Sequence, residues 1–150
     1  MKFKTEREKW AWLAGLIEGE GYLGLIYQRV CEYRKRAQIH GRLAITNSEK
    51  KLMIFLKQNY GGNWYKFKDN YCPDATVPCY QWYLLEGKLK PVLLKIRPYL
   101  VTKVKILDLM LRRYGLKQDN PLLYKLMIQI KALKVSKKGK AGGKRIIIKT

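Results

Sequence analysis

The first period in the chain is helical. From Thr5 onward charged residues mix with large apolar ones. At about 100° per residue, Trp10, Leu13, Leu16 and Ile17 fall on one broad face, while Ala11, Ala14, Gly15 and Gly19 gather on the other. Thr5 has the chemistry of an N-cap, and Glu6 and Glu8 suit a first turn. No side of that stretch is convincingly polar, so the pattern predicts a helix buried all round. Its bulky face would enter the chain's own core, and its small residues, Ala11, Gly15 and Gly19, would allow close approach by a second helix. Gly21 is expected to stop the helix in the left-handed conformation.

The period then changes to two. Tyr22 to Glu32 reads as a strand with Leu23, Leu25 and Tyr27 alternating against Tyr22, Gly24, Ile26 and Gln28. Arg34-Lys35-Arg36 marks a turn. In a second strand, Gln38 to Thr46, Ile39, Leu43 and Ile45 share one face and Gln38, His40 and Arg42 the other. Ser48 caps a helix reaching about Tyr60, which Gly61-Gly62 ends. Trp64 to Lys68 and Tyr80 to Leu85 are two further strands around a loop bracketed by Pro73 and Pro78; Tyr80, Trp82 and Leu84 face the core, Gln81 and Tyr83 face out. Helices are expected over Lys88 to Arg97, Val101 to Tyr114 and Pro121 to Lys134, broken at Pro98 and Gly115. This order predicts an α+β fold, an antiparallel four-stranded sheet in αββαββα order with helices on one face. Residues 1–135 read as one domain and 136–150 as a basic, flexible tail.

Charge gives the polar face of that sheet a partner. Lys and Arg number 32 against 11 acids, a net charge of +21, in a chain whose 47% apolar content suits a globular domain. Such a balance points to a polyanion, nucleic acid before an anionic membrane surface, since no basic amphipathic helix stands apart from the core pattern. No stretch approaches the roughly 18 apolar residues of a membrane span, and the N-terminus has no signal-peptide hydrophobic region. Cys31, Cys72 and Cys79 form no CxxC pair and His40 is distant from them, so reduced thiols in an intracellular compartment are expected and a structural zinc site is not. A two-stranded ribbon fits the major groove of DNA. The outward residues Gln28, Gln38, His40, Arg42, Lys66, Lys68 and Gln81 can hydrogen-bond to bases or phosphates, and Tyr22, Ile26 and Tyr83 can pack on thymine methyls or sugar. Arg34, Lys35, Arg36 and the tail lysines Lys137, Lys138, Lys140 and Lys144 suit phosphates.

Glu18 and Glu20 close an apolar helix at the negative pole of its dipole, which costs stability unless positive charge lies nearby. Either a divalent metal supplies it, or the acids mark where the helix surfaces. Leu13-Ala14-Gly15-Leu16-Ile17-Glu18-Gly19-Glu20-Gly21 resembles the LAGLIDADG signature of homing endonucleases and related maturases, matching at seven of nine positions with Glu for Asp at both acidic ones. No second copy of the motif occurs, as in the single-motif, homodimeric branch.

The resemblance implies a concave sheet face that saddles double-stranded DNA, and a site-specific endonuclease that serves intron homing. It would cut both strands of a long, pseudo-palindromic site to leave short 3′ overhangs. Mg2+ or Mn2+ would be held by Glu20 and the backbone carbonyl of Gly19, with Glu18 in a secondary structural role. Leu43-Ala44-Ile45-Thr46-Asn47 resembles the strand end that orients active-site water, making Asn47 the candidate and Lys51 its basic partner. Arg97-Pro98-Tyr99-Leu100-Val101-Thr102-Lys103 resembles the segment before a catalytic lysine, here Lys103. An RNA maturase acting on intron RNA and a catalytically silent DNA-binding regulator are the alternatives. A prokaryotic cytoplasm, or an organelle containing the target DNA, is the expected compartment.

Overall fold

Helix α1 spans Glu6–Glu20, and Thr5 caps it as expected, its Oγ1 accepting the Glu8 N–H at 3.1 Å. The computed structural model describes residues 1–32, 36–67 and 77–141, with side chains as far as residue 134 in the last helix. Leu13, Ala14 and Ile17 are fully buried, so Ala14 belongs to the core and not to the small-residue face. Gly15 and Gly19 stand exposed, and a Cβ added at either would meet nothing within 4 Å. The helix is therefore not buried all round by its own chain.

Gly21 ends α1 without entering the left-handed region. Its φ of −80° and ψ of 147° are extended, and the chain passes straight into strand β1, Gly21–Gln28. The glycine is needed for space instead, since a Cβ would lie 2.6 Å from the Ile17 Cα. Strand β2 is Gln38–Asn47, β3 is Asn63–Lys66 and β4 is Tyr80–Leu85. They form one antiparallel sheet in the order β1-β2-β4-β3. The register pairs Gly21 with Ile45 and Asn47 with Tyr80, which brings the end of β2 to the end of α1.

Helices α2 (Lys50–Tyr60), α3 (Glu86–Ile96), α4 (Val104–Arg112) and α5 (Pro121–Ala141) complete the fold. They cover the face that carries Leu23, Leu25, Leu43, Ile45, Trp82 and Leu84, all buried. Trp82 satisfies its indole by donating Nε1–H to the Gly61 carbonyl at 2.8 Å. Gly61 and Gly62 end α2 at φ of 75° and 80°, conformations that favour glycine. None of the described helices is long and apolar enough to cross a membrane.

Several boundaries differ from the sequence reading for local reasons. β1 stops at Gln28. Glu49, not Ser48, caps α2: its carboxylate accepts the Lys51 N–H at 3.1 Å, and Asn47 Oδ1 accepts the Glu49 N–H at 2.9 Å. α4 begins at Val104 because the N–H groups of Val101, Thr102 and Lys103 are turned onto the Glu18 carboxylate. α5 continues to Ala141, beyond Lys134 and into the stretch read as tail.

Where β4 ends at Leu85, opposite Arg42, β2 keeps β1 on one side, and on the other side chains take over from β4. Gln118 accepts the Ile39 N–H at 2.8 Å and donates to the Ile39 carbonyl at 3.0 Å. Arg113 Nε donates to the same carbonyl at 3.1 Å, and Glu86 accepts the Gly41 N–H at 2.6 Å. A primary amide has the donor and acceptor of a peptide group, so Gln118 completes the sheet edge as a strand would.

Candidate nucleic-acid interface and cleavage site

The C-terminal end of α1 is where the two acids of the motif part company. Glu18 turns towards α4: Oε1 accepts the N–H groups of Val101, Thr102 and Lys103 at 2.8, 2.9 and 3.1 Å, and Oε2 accepts the Thr102 hydroxyl at 2.5 Å. Burial alone would raise its pKa, but the hydrogen bonds from Thr102 and from the backbone of residues 101–103 outweigh it and hold the carboxyl below its ordinary value. Lys103 answers from the other side, donating Nζ to the carbonyls of Ile17 and Gly21 at 2.5 and 2.6 Å. The positive charge required at this helix end is thus supplied in part by Lys103.

Glu20 remains exposed, and Asn47 Nδ2 donates to its Oε2 at 3.1 Å. With its Oδ1 committed to the Glu49 N–H, the Asn47 amide is held at both ends. Lys51 stands exposed in the first turn of α2. The structure therefore joins Glu20 directly to Asn47, places Lys103 beneath the same helix end, and leaves Lys51 on the rim.

Among the described residues, no group of three or more His, Cys, Asp and Glu is placed to hold a metal. A single chain offers the Glu20 carboxylate and the carbonyls that every helix leaves unpaired at its C-terminus, Gly19 among them. That set suits magnesium, which keeps much of its coordination for water and phosphate and takes one or two carboxylates from protein. It does not suit a metal enclosed by protein ligands.

The outer face of the sheet begins beside Glu20. Tyr22, Ile26, Arg42, Thr46, Tyr65, Phe67 and Gln81 surround one shallow concavity. Gln81 is its hub: Oε1 accepts from Arg42 Nη2 and from the Tyr65 hydroxyl at 2.9 Å, and Nε2 donates to Thr46 Oγ1 at 2.8 Å. The Arg42 guanidinium also lies 5.4 Å from the Tyr83 ring centroid. Arg42, Gln81, Tyr83, Tyr22 and Ile26 are thus assembled as the alternation predicts.

One outward assignment changes. β3 pairs Trp64 with the buried Trp82 and Lys66 with Tyr80, which puts Lys66 on the helix side and Tyr65 outward. A strand of four residues gave the sequence reading too little alternation to fix the face. His40 and Gln38 keep the outward parity, opposite Ile26 and Gln28 farther along the β1–β2 arm; they hydrogen-bond to each other at 3.0 Å, with His40 Nδ1 3.8 Å from Glu86. Arg36 is exposed. Arg34, Lys35, Lys68, Cys72, Lys144 and the side chains of Lys137, Lys138 and Lys140 lie outside the described residues. Cys31 and Cys79 carry free thiols. Sequence reasoning missed Thr102, Tyr65 and Lys134, whose positions depend on contacts between distant segments.

No protein-family model matches this chain, and no curated protein matches it. Solved structures do. The homing endonuclease I-CvuI, in complex with target DNA, superposes with a TM-score of 0.69 at 21% identity, over 94% of this chain and 87% of that one. The archaeal intron-encoded homing endonuclease I-Vdi141I, complexed with DNA, gives 0.63 at 15% identity over 94% and 90%. The LAGLIDADG homing endonuclease I-LtrWI, bound to target DNA, gives 0.62 at 18% identity, and this chain spans 45% of its length. With the motif on α1, the antiparallel four-stranded sheet and these superpositions in agreement, the chain has the LAGLIDADG homing-endonuclease fold.

Proposed function

We propose that this protein is a site-specific DNA endonuclease that acts as a homodimer on a long, nearly palindromic duplex and cuts both strands to leave short 3′ overhangs. The observation that carries the reading is the Glu20–Asn47 contact of 3.1 Å at an exposed helix end that adjoins the open glycines of α1. One chain supplies one such carboxylate. A double-strand break needs two reacting centres, and pairing two copies through Gly15 and Gly19 would set one Glu20 near each scissile phosphate. The exposed outer face, with Arg42, Gln81 and Tyr83, suits base edges in the major groove, and the charge of +21 suits the phosphates.

Glu20 and the Gly19 carbonyl would hold Mg2+ or Mn2+, which when bound lowers the pKa of water and offsets charge on the phosphate. Asn47, fixed at both ends of its amide, orients the attacking water. Lys103 adds positive charge from beneath, and Lys51 does so from the rim.

The test is cleavage of DNA carrying the rejoined sequence that flanks the gene, with wild type and Glu20→Gln compared with and without magnesium. Metal-dependent cutting of both strands by wild type, with binding but no cutting by Glu20→Gln, is the expected result. Binding without cutting by both proteins would overturn the catalytic reading and leave a silent DNA-binding regulator or an RNA maturase, with intron RNA the next ligand to assay.

A further inference from the structure

Lys134 belongs to no motif, yet it occupies an unusual seat. It follows the buried Ile130 by one turn of α5, and its side chain reaches Tyr22 and Gly24 of β1. Nζ lies 3.7 Å from the centroid of the Tyr22 ring and beside Gly24, well inside the roughly 6 Å at which a cation and a ring face attract. The other lysines over described rings sit at 4.7 Å or more.

The seat exists because position 24 is glycine. A Cβ on Gly24 would be 2.6 Å from Lys134 Nζ and 2.9 Å from the Tyr22 hydroxyl. Tyr22 follows Glu20 by two residues, so the ammonium is held at the cleavage-site end of the outer face. Burial, followed by the charge of nearby Lys103, lowers the Lys134 pKa to about 8. A half-buried ammonium that also feels the charge of a second lysine costs free energy that an anion beside it would recover.

We propose that Lys134 is a DNA-backbone contact: Tyr22 and Gly24 hold its ammonium at the cleavage-site end of the outer face, where it takes a phosphate of the bound duplex. Lys134 is a binding residue and touches no reacting atom. The proposal rests on the DNA-binding reading of the same face.

The test is NMR of full-length protein carrying isotope-labelled lysine and arginine, with the Lys134 signal identified by its loss in Lys134→Met. A random-sequence DNA duplex is titrated in without divalent ions, and binding is followed against salt. The Lys134 signal should move on DNA addition while that of Lys90, seated over Tyr114, stays in place. Lys134→Met should reduce the log–log salt slope by about 0.9 per protomer, the value for one phosphate, and Lys134→Arg should restore it. Gly24→Ala, which displaces the ammonium but keeps its charge, should weaken binding with little change in Tm, because the atoms it meets are side-chain ends. An unmoved Lys134 signal and an unchanged slope, with the Arg42 side-chain signal shifting, would overturn the proposal while sparing the DNA-binding reading. Absence of binding by wild type at low salt would overturn both.

Discussion

Glu18 and Lys103 each bind the other's helix end. The Glu18 carboxylate gathers the N–H groups of residues 101–103, while the Lys103 ammonium takes the carbonyls of Ile17 and Gly21 on either side of Glu18. A negative group thus sits at the start of α4 and a positive one at the end of α1, each matching the helix dipole it faces.

Glu18→Ala should therefore destabilise the fold by about 1–2 kcal/mol, the scale of a lost helix cap, with Thr102→Val costing about 1 kcal/mol. Urea unfolding at neutral pH measures both. The sign of the pH dependence follows from the lowered pKa of Glu18. Its contribution to stability is present above the unfolded value of 4.5 and is lost as pH falls through the lower folded value. Tm followed downward from neutral pH should decline more steeply in wild type than in Glu18→Gln across that window. Parallel curves would remove Glu18 from the account.

Lys103 caps α1, and the proposed function also gives it a catalytic charge; the two roles separate experimentally. Lys103→Met should lower single-turnover cleavage by about 10²–10³-fold, as expected for one lost electrostatic donor, while costing only about 0.3–1 kcal/mol of stability. A loss of Tm with an unchanged cleavage rate would make the lysine a cap alone.

The glycines of the motif serve different purposes. Gly21→Ala drives a Cβ into the Ile17 backbone and should cost about 1–3 kcal/mol as overpacking. Gly15→Ala meets nothing in its own chain and should leave the protomer fold intact, with a gain of up to about 1 kcal/mol from helix propensity. Gly15→Leu and Gly19→Leu should preserve circular dichroism while shifting sedimentation from dimer to monomer. Unchanged sedimentation in both would move the dimer interface away from this face.

Gln118→Ala should expose the edge of β2 by leaving the Ile39 N–H without its acceptor. The expected cost is about 1–3 kcal/mol. Hydrogen exchange at the Ile39 amide should quicken more than exchange at Ile45, which lies between strands β1 and β4. Equal acceleration at both amides would show global destabilisation instead of local fraying.

Alternation in β2 and β4 was readable because long strands between core and solvent must switch polarity at every residue. The bounds Tyr80–Leu85 and the outward Gln81 and Tyr83 hold in the structure. The motif on α1 and the cap at Thr5 were equally legible, being local chemistry along one helix. The sequence by itself therefore determined the order of elements, the polar face of the central strands, the acids at the end of α1 and the basic balance that suits a polyanion.

Tertiary structure decided what distant segments do to one another. It turned Glu18 towards residues 101–103 and left Glu20 with Asn47, a division that two acids spaced two apart on one helix do not announce. It moved Ala14 into the core, put Lys66 on the inner side, and brought Lys134 over Tyr22. The physical reason is common to these cases: side-chain period reports local burial, whereas hydrogen-bond partners and close contacts depend on which elements the packed core brings together.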